Sequence, residues 1–251
     1  MIDIHSHLLP GVDDGSPSMD VSVPVLRRFV ASGVHTLVCT PHLQASRAAI
    51  APYDRHGEIL DSLRLHAPAE LRLELGWEIM LDVPGADLRS PRLALAGSTA
   101  VLVEFSHGGV PPTAAEELFR HRMSGIVPVL AHVERYWGTT LDRVEEWRGV
   151  GVVIQVDSAA LFGHGRTQRL AVDLIERGLV DIIASDNHGD SRSIAAARDW
   201  LLEMGADEQA KLLTETNASR VLVNEAPLPV PPLEPRRGML TRLRSLFGGR
   251  S

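Results

Sequence analysis

The sequence predicts an α/β chain whose strands pair in parallel and curl into a closed or nearly closed barrel. Three observations carry this. Seven short apolar, β-branched runs recur along 251 residues, and helical patterns separate most of them. Residues of one chemical type sit at the ends of those runs, one strand–helix unit apart. No Gly-rich phosphate loop follows the first run, which weighs against an open doubly wound sheet. The length suits one large domain or two small ones.

The first run, Ile2–His5, has no basic stretch before it, so no cleaved signal is expected. Pro24 should delay the following helix to about Ser22 or kink it, and Gly33 should end it. Thr36–Thr40 is the second strand. Cys39 within it is the only cysteine, which rules out an intrachain disulfide, favours a reducing compartment and reads as a small core residue. Leu71–Ile79 and Ala100–Phe105 are the third and fourth strands. Thr113-Ala-Ala-Glu116 reads as a capping box, with Gly125 stopping that helix. Ile126–Ala131 and Val152–Val156 come next, and Gly178 ends the helix before Val180–Ala184. A hydrophobic fraction of 44% and a charged fraction of 23% are ordinary for a globular chain. No apolar run approaches the length of a membrane span, and a cytoplasmic protein is expected.

At the C-terminal ends of these runs stand His5 with His7, His42, Glu78, Glu104, His132, then Gln155 and Asp157, then Asp186 with His188. In a barrel those ends converge on one face, where active sites are built. Each residue alone has a bland explanation as a cap or a satisfied polar group. Together they read as a metal site. Imidazole mixed with carboxylate suits Mn²⁺, Fe²⁺ or Zn²⁺, and this many donors fits two or three ions better than one. Such a cluster activates water and clamps a phosphoryl or acyl group.

Charge narrows the partners. The formal net charge is −7, but Arg236, Arg237, Arg242, Arg244 and Arg250 crowd the end without an acid, leaving −12 on residues 1–235. That acidic body argues against nucleic-acid binding through phosphates. Binuclear amidohydrolases commonly bridge their metals with a carboxylated lysine, and the only lysine, Lys211, lies far from any strand end. Cysteine-based tyrosine phosphatases need Cys-x5-Arg, and the sixth residue after Cys39 is Ala45.

Six segments carry a family resemblance: MIDIHSHLLPGVDDG at the start, TPHL (40–43), GWEI (76–79), LVEF (102–105), AHVERY (131–136) and ASDNH (184–188). The chain from residue 1 to about 223 resembles the polymerase and histidinol phosphatase (PHP) superfamily. Within it, MIDIHSH…VDDG with HVERY resembles the manganese-dependent tyrosine-protein phosphatases of capsule and exopolysaccharide clusters. The resemblance implies a distorted TIM-like (β/α)7 barrel, the PHP fold. It also implies three metal positions: His5, His7, Glu78 and Asp186; Glu78 bridging to Glu104 and His132; and Asp14, His42 and His188. Asp13 is the less favoured of the aspartate pair. Arg135 and Arg192 match phosphate-binding arginines, and His42 or Asp14 could also assist proton transfer. Mn²⁺, as two or three ions, is the implied cofactor, with Fe, Co or Zn as substitutes.

Among the remaining histidines, His35, His56, His66 and His121 are expected in surface or capping roles. His107 and His164 follow strands on the active face, where substrate contact stays open. Asp157 is expected to cap the following helix rather than bind metal. Tyr136 and Trp137 are read as pocket wall or ordinary packing, with neither favoured. Residues 1–225 form the expected phosphatase domain. From Ala226 to Pro235, five prolines suggest an extended spacer, followed by a basic amphipathic pattern at Met239, Leu240, Leu243, Leu246 and Phe247. That tail suits weak peripheral membrane contact or partner docking. The leading function is phosphotyrosine hydrolysis on a protein, such as a bacterial tyrosine kinase of polysaccharide export. A histidinol-phosphate-type phosphatase is the alternative, and a polymerase-associated PHP domain is disfavoured.

Overall fold

The computed structural model describes residues 1–106 and 109–233, so His107 and the basic tail lie outside the described residues. In chain order the elements are β1 (Ile2–Asp3), α1 (Met19–Ala31), β2 (Thr36–Cys39), β3 (His42–Gln44), α2 (Tyr53–Arg64), β4 (Arg72–Leu75), β5 (Glu78–Met80) and β6 (Ala100–Glu104). Then come α3 (Ala114–Met123), β7 (Val127–Leu130), α4 (Leu141–Gly149), β8 (Val153–Asp157), α5 (Gly165–Glu176) and β9 (Ile182–Ala184). Helices α6 (Ile194–Glu203), α7 (Asp207–Lys211) and α8 (Asn217–Leu222) follow. No described helix is long and apolar enough to cross a membrane.

Every strand pairing is parallel, in the orders β1-β2-β4 and β3-β5-β6-β7-β8-β9. The seven expected runs are present; Leu71–Ile79 breaks in half, and Thr36–Thr40 is followed by a short strand, β3, that was not expected. Thr40-Pro41 separates β2 from β3, where proline has no N–H to donate to the ladder. Gly76-Trp77 separates β4 from β5, and a Cβ on Gly76 would lie 2.7 Å from Leu95 Cδ2. β2 and β4 stay with β1, and β3 and β5 shift into the larger sheet. The first and last strands meet where Asp186 N–H donates to the His5 carbonyl at 3.0 Å and His7 N–H donates to that of Asn187 at 2.8 Å. The result is a distorted barrel whose ring is not one continuous ladder.

Alternation along the strands sorts the interior from the helix layer. Ile4, Val38, Leu102, Val129, Val153 and Ile182 form one buried cluster, closed from below by Ala218 and Val221 of α8. Glu104, Gln155 and Asp157 continue the inward-facing positions of β6 and β8 at their C-terminal ends, all buried. The larger cluster, with Val101, Val103, Ile154 and Trp147, packs beneath the outer helices.

Two expected helix features are absent: the late start of α1 and the side-chain cap of α3. α1 begins at Met19, five residues ahead of Pro24. Pro24 lies on the exposed face, so the missing N–H leaves the Asp20 carbonyl open to water and the helix need not start late. Thr113 does cap α3, but its ψ of 11° is not extended, and its side chain accepts no capping hydrogen bond. Gly33, Gly125 and Gly178 do stop their helices, each with positive φ.

Candidate metal centre

The nine donors lie on one face of the barrel. His5 and His7 follow β1, His42 and Glu78 sit opposite each other as the first residues of β3 and β5, and Glu104 ends β6. His132 follows β7, Asp186 and His188 follow β9, and Asp14 comes from the loop before α1. They form four overlapping groups whose donor atoms lie within 4.8 Å of one another. The groups are His5, His7 and Asp186; His5, Glu78 and His132; His42, Glu78 and Glu104; and His7, Asp14, His42 and His188. Glu78 belongs to two of them. Its Oε1 lies 2.6 Å from His132 Nε2, and its Oε2 lies 2.9 Å from His42 Nδ1. His5 Nε2 stands 3.3 Å from Glu78, Asp186 and His7 alike. Crowding imidazoles and carboxylates this tightly in a buried pocket suits divalent cations, which are the common partner of both.

Burial and charge oppose each other here. Burial disfavours protonation of His5, but the Glu78 and Asp186 carboxylates outweigh it and push His5 up to about 9. Glu104 is raised to about 7 by burial and by the charge of Glu78. Burial also opposes ionisation of Glu78, yet His5, His132 and His42 hold its carboxyl well below the usual range. Asp186 and His132 adopt φ values of +47° and +34°, left-handed backbone that costs a non-glycine residue about 1–3 kcal/mol. Both turns swing a side chain from a strand end into the cluster.

A shell of polar groups orients these donors. Asp13 Oδ2 lies 2.8 Å from His7 Nδ1 and accepts from His42 N–H, whereas Asp14 Oδ1 lies 3.2 Å from His42 Nε2. So the first aspartate holds a histidine, and the second faces the donors. His5 Nδ1 donates to Gln155 Oε1 at 2.9 Å, and Gln155 Nε2 donates to Asp157 Oδ1 at 2.9 Å. Asp157 pairs with Arg135, so the expected helix cap is wrong: the side chain is buried, makes no cap hydrogen bond, and neutralises a guanidinium instead. Arg135 and Arg192 both reach Asp186 Oδ2, at 2.6 and 3.0 Å.

Sequence reasoning missed Asp3 and Glu134. Asp3 accepts from Ser185 and His5 N–H groups at 3.1 and 3.4 Å, stitching the first strand to the last. Glu134 accepts from Asp157 N–H at 3.2 Å, and burial beside Asp157 raises it to about 8. The available signals were an acid within the first apolar run and an unassigned acid between His132 and Arg135.

A family model described as "Capsular polysaccharide synthesis, CpsB/CapC" matches residues 1–223. The chain belongs to the CpsB/CapC family. Its similar relatives include the tyrosine-protein phosphatase YwqE of Bacillus subtilis, 26% identical over 99% of both chains. Another is the tyrosine-protein phosphatase CpsB of Streptococcus pneumoniae, 30% identical over 90% of this chain and 99% of the relative. A solved chain from the crystal structures of YwqE and CpsB, described as metal-dependent tyrosine phosphatases, superposes with a TM-score of 0.74. It is 26% identical and covers 94% of this chain and 100% of the solved one. The β-aspartyl dipeptidase of Fervidobacterium islandicum shares the fold at a TM-score of 0.55 with 17% identity.

Several expectations about neighbouring residues change within this CpsB/CapC fold. Tyr136 is fully buried, donating to the Ala131 carbonyl at 2.8 Å, so it packs rather than walls a pocket, whereas Trp137 is 74% exposed. His56 and His121 are buried, not on the surface, and His56 stacks on Trp77 at 4.8 Å. His66 is exposed, and His35 lies at the α1–β2 joint, half-exposed beside Thr36. His164 precedes α5 and is exposed. Cys39 is a core thiol, pushed up to about 12 by burial, and Lys211 is exposed on α7.

Proposed function

We propose that this chain hydrolyses phosphotyrosine on proteins with the help of divalent cations held by His5, His7, Asp14, His42, Glu78, Glu104, His132, Asp186 and His188. One observation carries the reading: in a CpsB/CapC chain, a pocket of nine convergent imidazole and carboxylate donors is flanked by two arginines that share one carboxylate. Mn²⁺ suits that donor set, with Fe, Co or Zn as substitutes. Cations bound there would supply an acidified water and Lewis-acid stabilisation of the phosphoryl oxygens. Arg135 and Arg192 are charged forks at the rim, able to turn from Asp186 to those oxygens. His42 and Asp14 are the donors most open to solvent, so they are the two that could also pass a proton to a leaving group. A phenolate, with a pKa near 10, needs little protonation, which favours aryl over alkyl phosphates. Residues 1–225 would form this catalytic unit in the cytoplasm. The substrate would be a tyrosine kinase of polysaccharide export, and the basic tail would add weak, salt-sensitive membrane contact.

The test compares turnover of a phosphotyrosine peptide and of histidinol phosphate, with and without Mn²⁺. The peptide should be preferred, and only with metal. Preference for histidinol phosphate would favour the small-molecule alternative. Glu78→Ala should lose bound metal and nearly all turnover, and normal values of both in that variant would remove the bridging role.

A further inference from the structure

A groove runs from the metal centre along β3, β5 and the start of α2. Its volume is about 530 Å³, and His42 and Glu104 stand among its lining residues. Its floor is apolar, with Trp77 fully buried beneath it and Met80 and Leu43 alongside. The Trp77 indole donates to the Arg92 carbonyl at 2.9 Å, which fixes the ring beneath the groove. Ile50, 71% exposed, stands on the lip.

The charge of the groove is opposite to that of the molecule. Glu104, already a candidate metal donor, is the only acid among its lining residues. Arg47 and Arg55 also line it, both exposed, and neither guanidinium meets a carboxylate or carbonyl among the described residues. The neighbouring Arg92 does find Asp54, at 3.4 Å. Two unneutralised guanidinium groups over an apolar floor, in a body carrying −12, suit an anionic ligand that also has apolar surface.

We propose that this groove holds a second anionic side chain, carboxylate or phosphate, on the same segment that presents phosphotyrosine to the metal centre. The assignment rests on the phosphatase reading above and deepens it: the preferred substrate is an acidic or multiply phosphorylated tyrosine segment. The apolar floor takes the peptide's side-chain stems, while Arg47 and Arg55 take its charge. Two anion sources share this chemistry, so the test uses both.

KM is measured for three phosphotyrosine peptides of equal length, flanked by neutral residues, by glutamates or by a second phosphotyrosine. Wild-type protein should bind the anionic peptides with KM about three- to tenfold below the neutral one, since exposed ion pairs give up to about fivefold each. The advantage should shrink as salt rises. In the Arg47→Gln, Arg55→Gln double variant, KM for the anionic peptides should rise to within twofold of the neutral one, with an unchanged melting temperature. A response confined to the doubly phosphorylated peptide identifies phosphate as the ligand, and a response to both identifies any anion. Turnover of all three peptides with the same KM ratios in wild type and variant would overturn the groove alone. No turnover of any phosphotyrosine peptide by metal-loaded wild type would overturn the phosphatase reading beneath it.

Discussion

His5 shows how one side chain links the fold, the metal and pH. Gln155 fixes its Nδ1, so Nε2 is turned to the cluster, where two carboxylates push it up to about 9 against the effect of burial. A cation needs the neutral imidazole, so below pH 9 loading must expel a proton. Apparent metal affinity should therefore rise with pH between 6 and about 9. Calorimetric titration with Mn²⁺ in buffers of different ionisation enthalpy reads the released proton directly, and pH-independent affinity with no release would contradict this account. Arg135 divides the duties differently. It touches Asp186 and Asp157 but is not a donor, so Arg135→Ala should keep its metal and lose about 2–4 kcal/mol of transition-state stabilisation. Wild-type kcat/KM in that variant would make the arginine structural. At this scale most of the candidate donors were legible because they fall at strand ends with regular spacing, whereas Asp14, in a loop, came only with the family resemblance. Asp3 and Glu134 were not, because a buried carboxylate bound to backbone N–H groups leaves no periodic mark on a sequence.

Elements show why the VDDG stretch has its composition. The loop closes on β1: Ser16 N–H donates to the His7 carbonyl at 2.8 Å, and Gly11 N–H donates to that of Ser16 at 2.8 Å. Gly15 N–H in turn donates to Asp13 Oδ1 at 3.0 Å, the carboxylate that holds His7. A Cβ on Gly15 would lie 2.2 Å from the His7 carbonyl oxygen and 2.3 Å from His7 Cβ. Neither atom is a flexible side-chain end, so Gly15→Ala must displace the histidine. The variant should lose about 1–3 kcal/mol of stability, the scale of overpacking. Metal content, measured by mass spectrometry, should fall with it because His7 serves two donor groups. Full metal loading in folded Gly15→Ala would show that the loop yields instead. The broken strands were hidden for a related reason. Apolar character continues across Gly76-Trp77, so Leu71–Ile79 reads as one strand, while His42–Gln44 is too short and polar to read as a strand at all. The close approach of Leu95 to Gly76 and the pairing of His42–Gln44 with Glu78–Met80 are tertiary facts.

For the whole molecule, the question is how the C-terminal stretch is attached. The five prolines read as a spacer, yet the described part, residues 226–233, lies along the body. Val230 is only 5% exposed, and Leu233 N–H donates to the Glu176 carbonyl at 2.9 Å. Asn217 on α8 is the clasp: it accepts from Leu228 N–H at 2.8 Å and donates to the Leu228 and Asp181 carbonyls, each at 3.0 Å. Gly178, with φ of +68°, leaves room for this strap, since a Cβ there would lie 2.3 Å from the Val230 carbonyl. Ending the chain at residue 225 uncovers the valine site, worth about 1.5–3 kcal/mol. It also removes both Leu228 hydrogen bonds of the buried Asn217 amide, at about 1–3 kcal/mol more. At roughly 2–4 °C per kcal/mol for a chain of this size, the melting temperature should fall by about 5–24 °C. Ending it at residue 233 removes the basic tail alone and should leave melting and small-substrate turnover unchanged. Gly178→Ala in the full chain should reproduce part of the first effect without removing a residue. Equal melting of the full chain and the chain ending at 225 would return the proline stretch to the role of a free spacer, and the barrel's stability would then rest on its seam and helices alone.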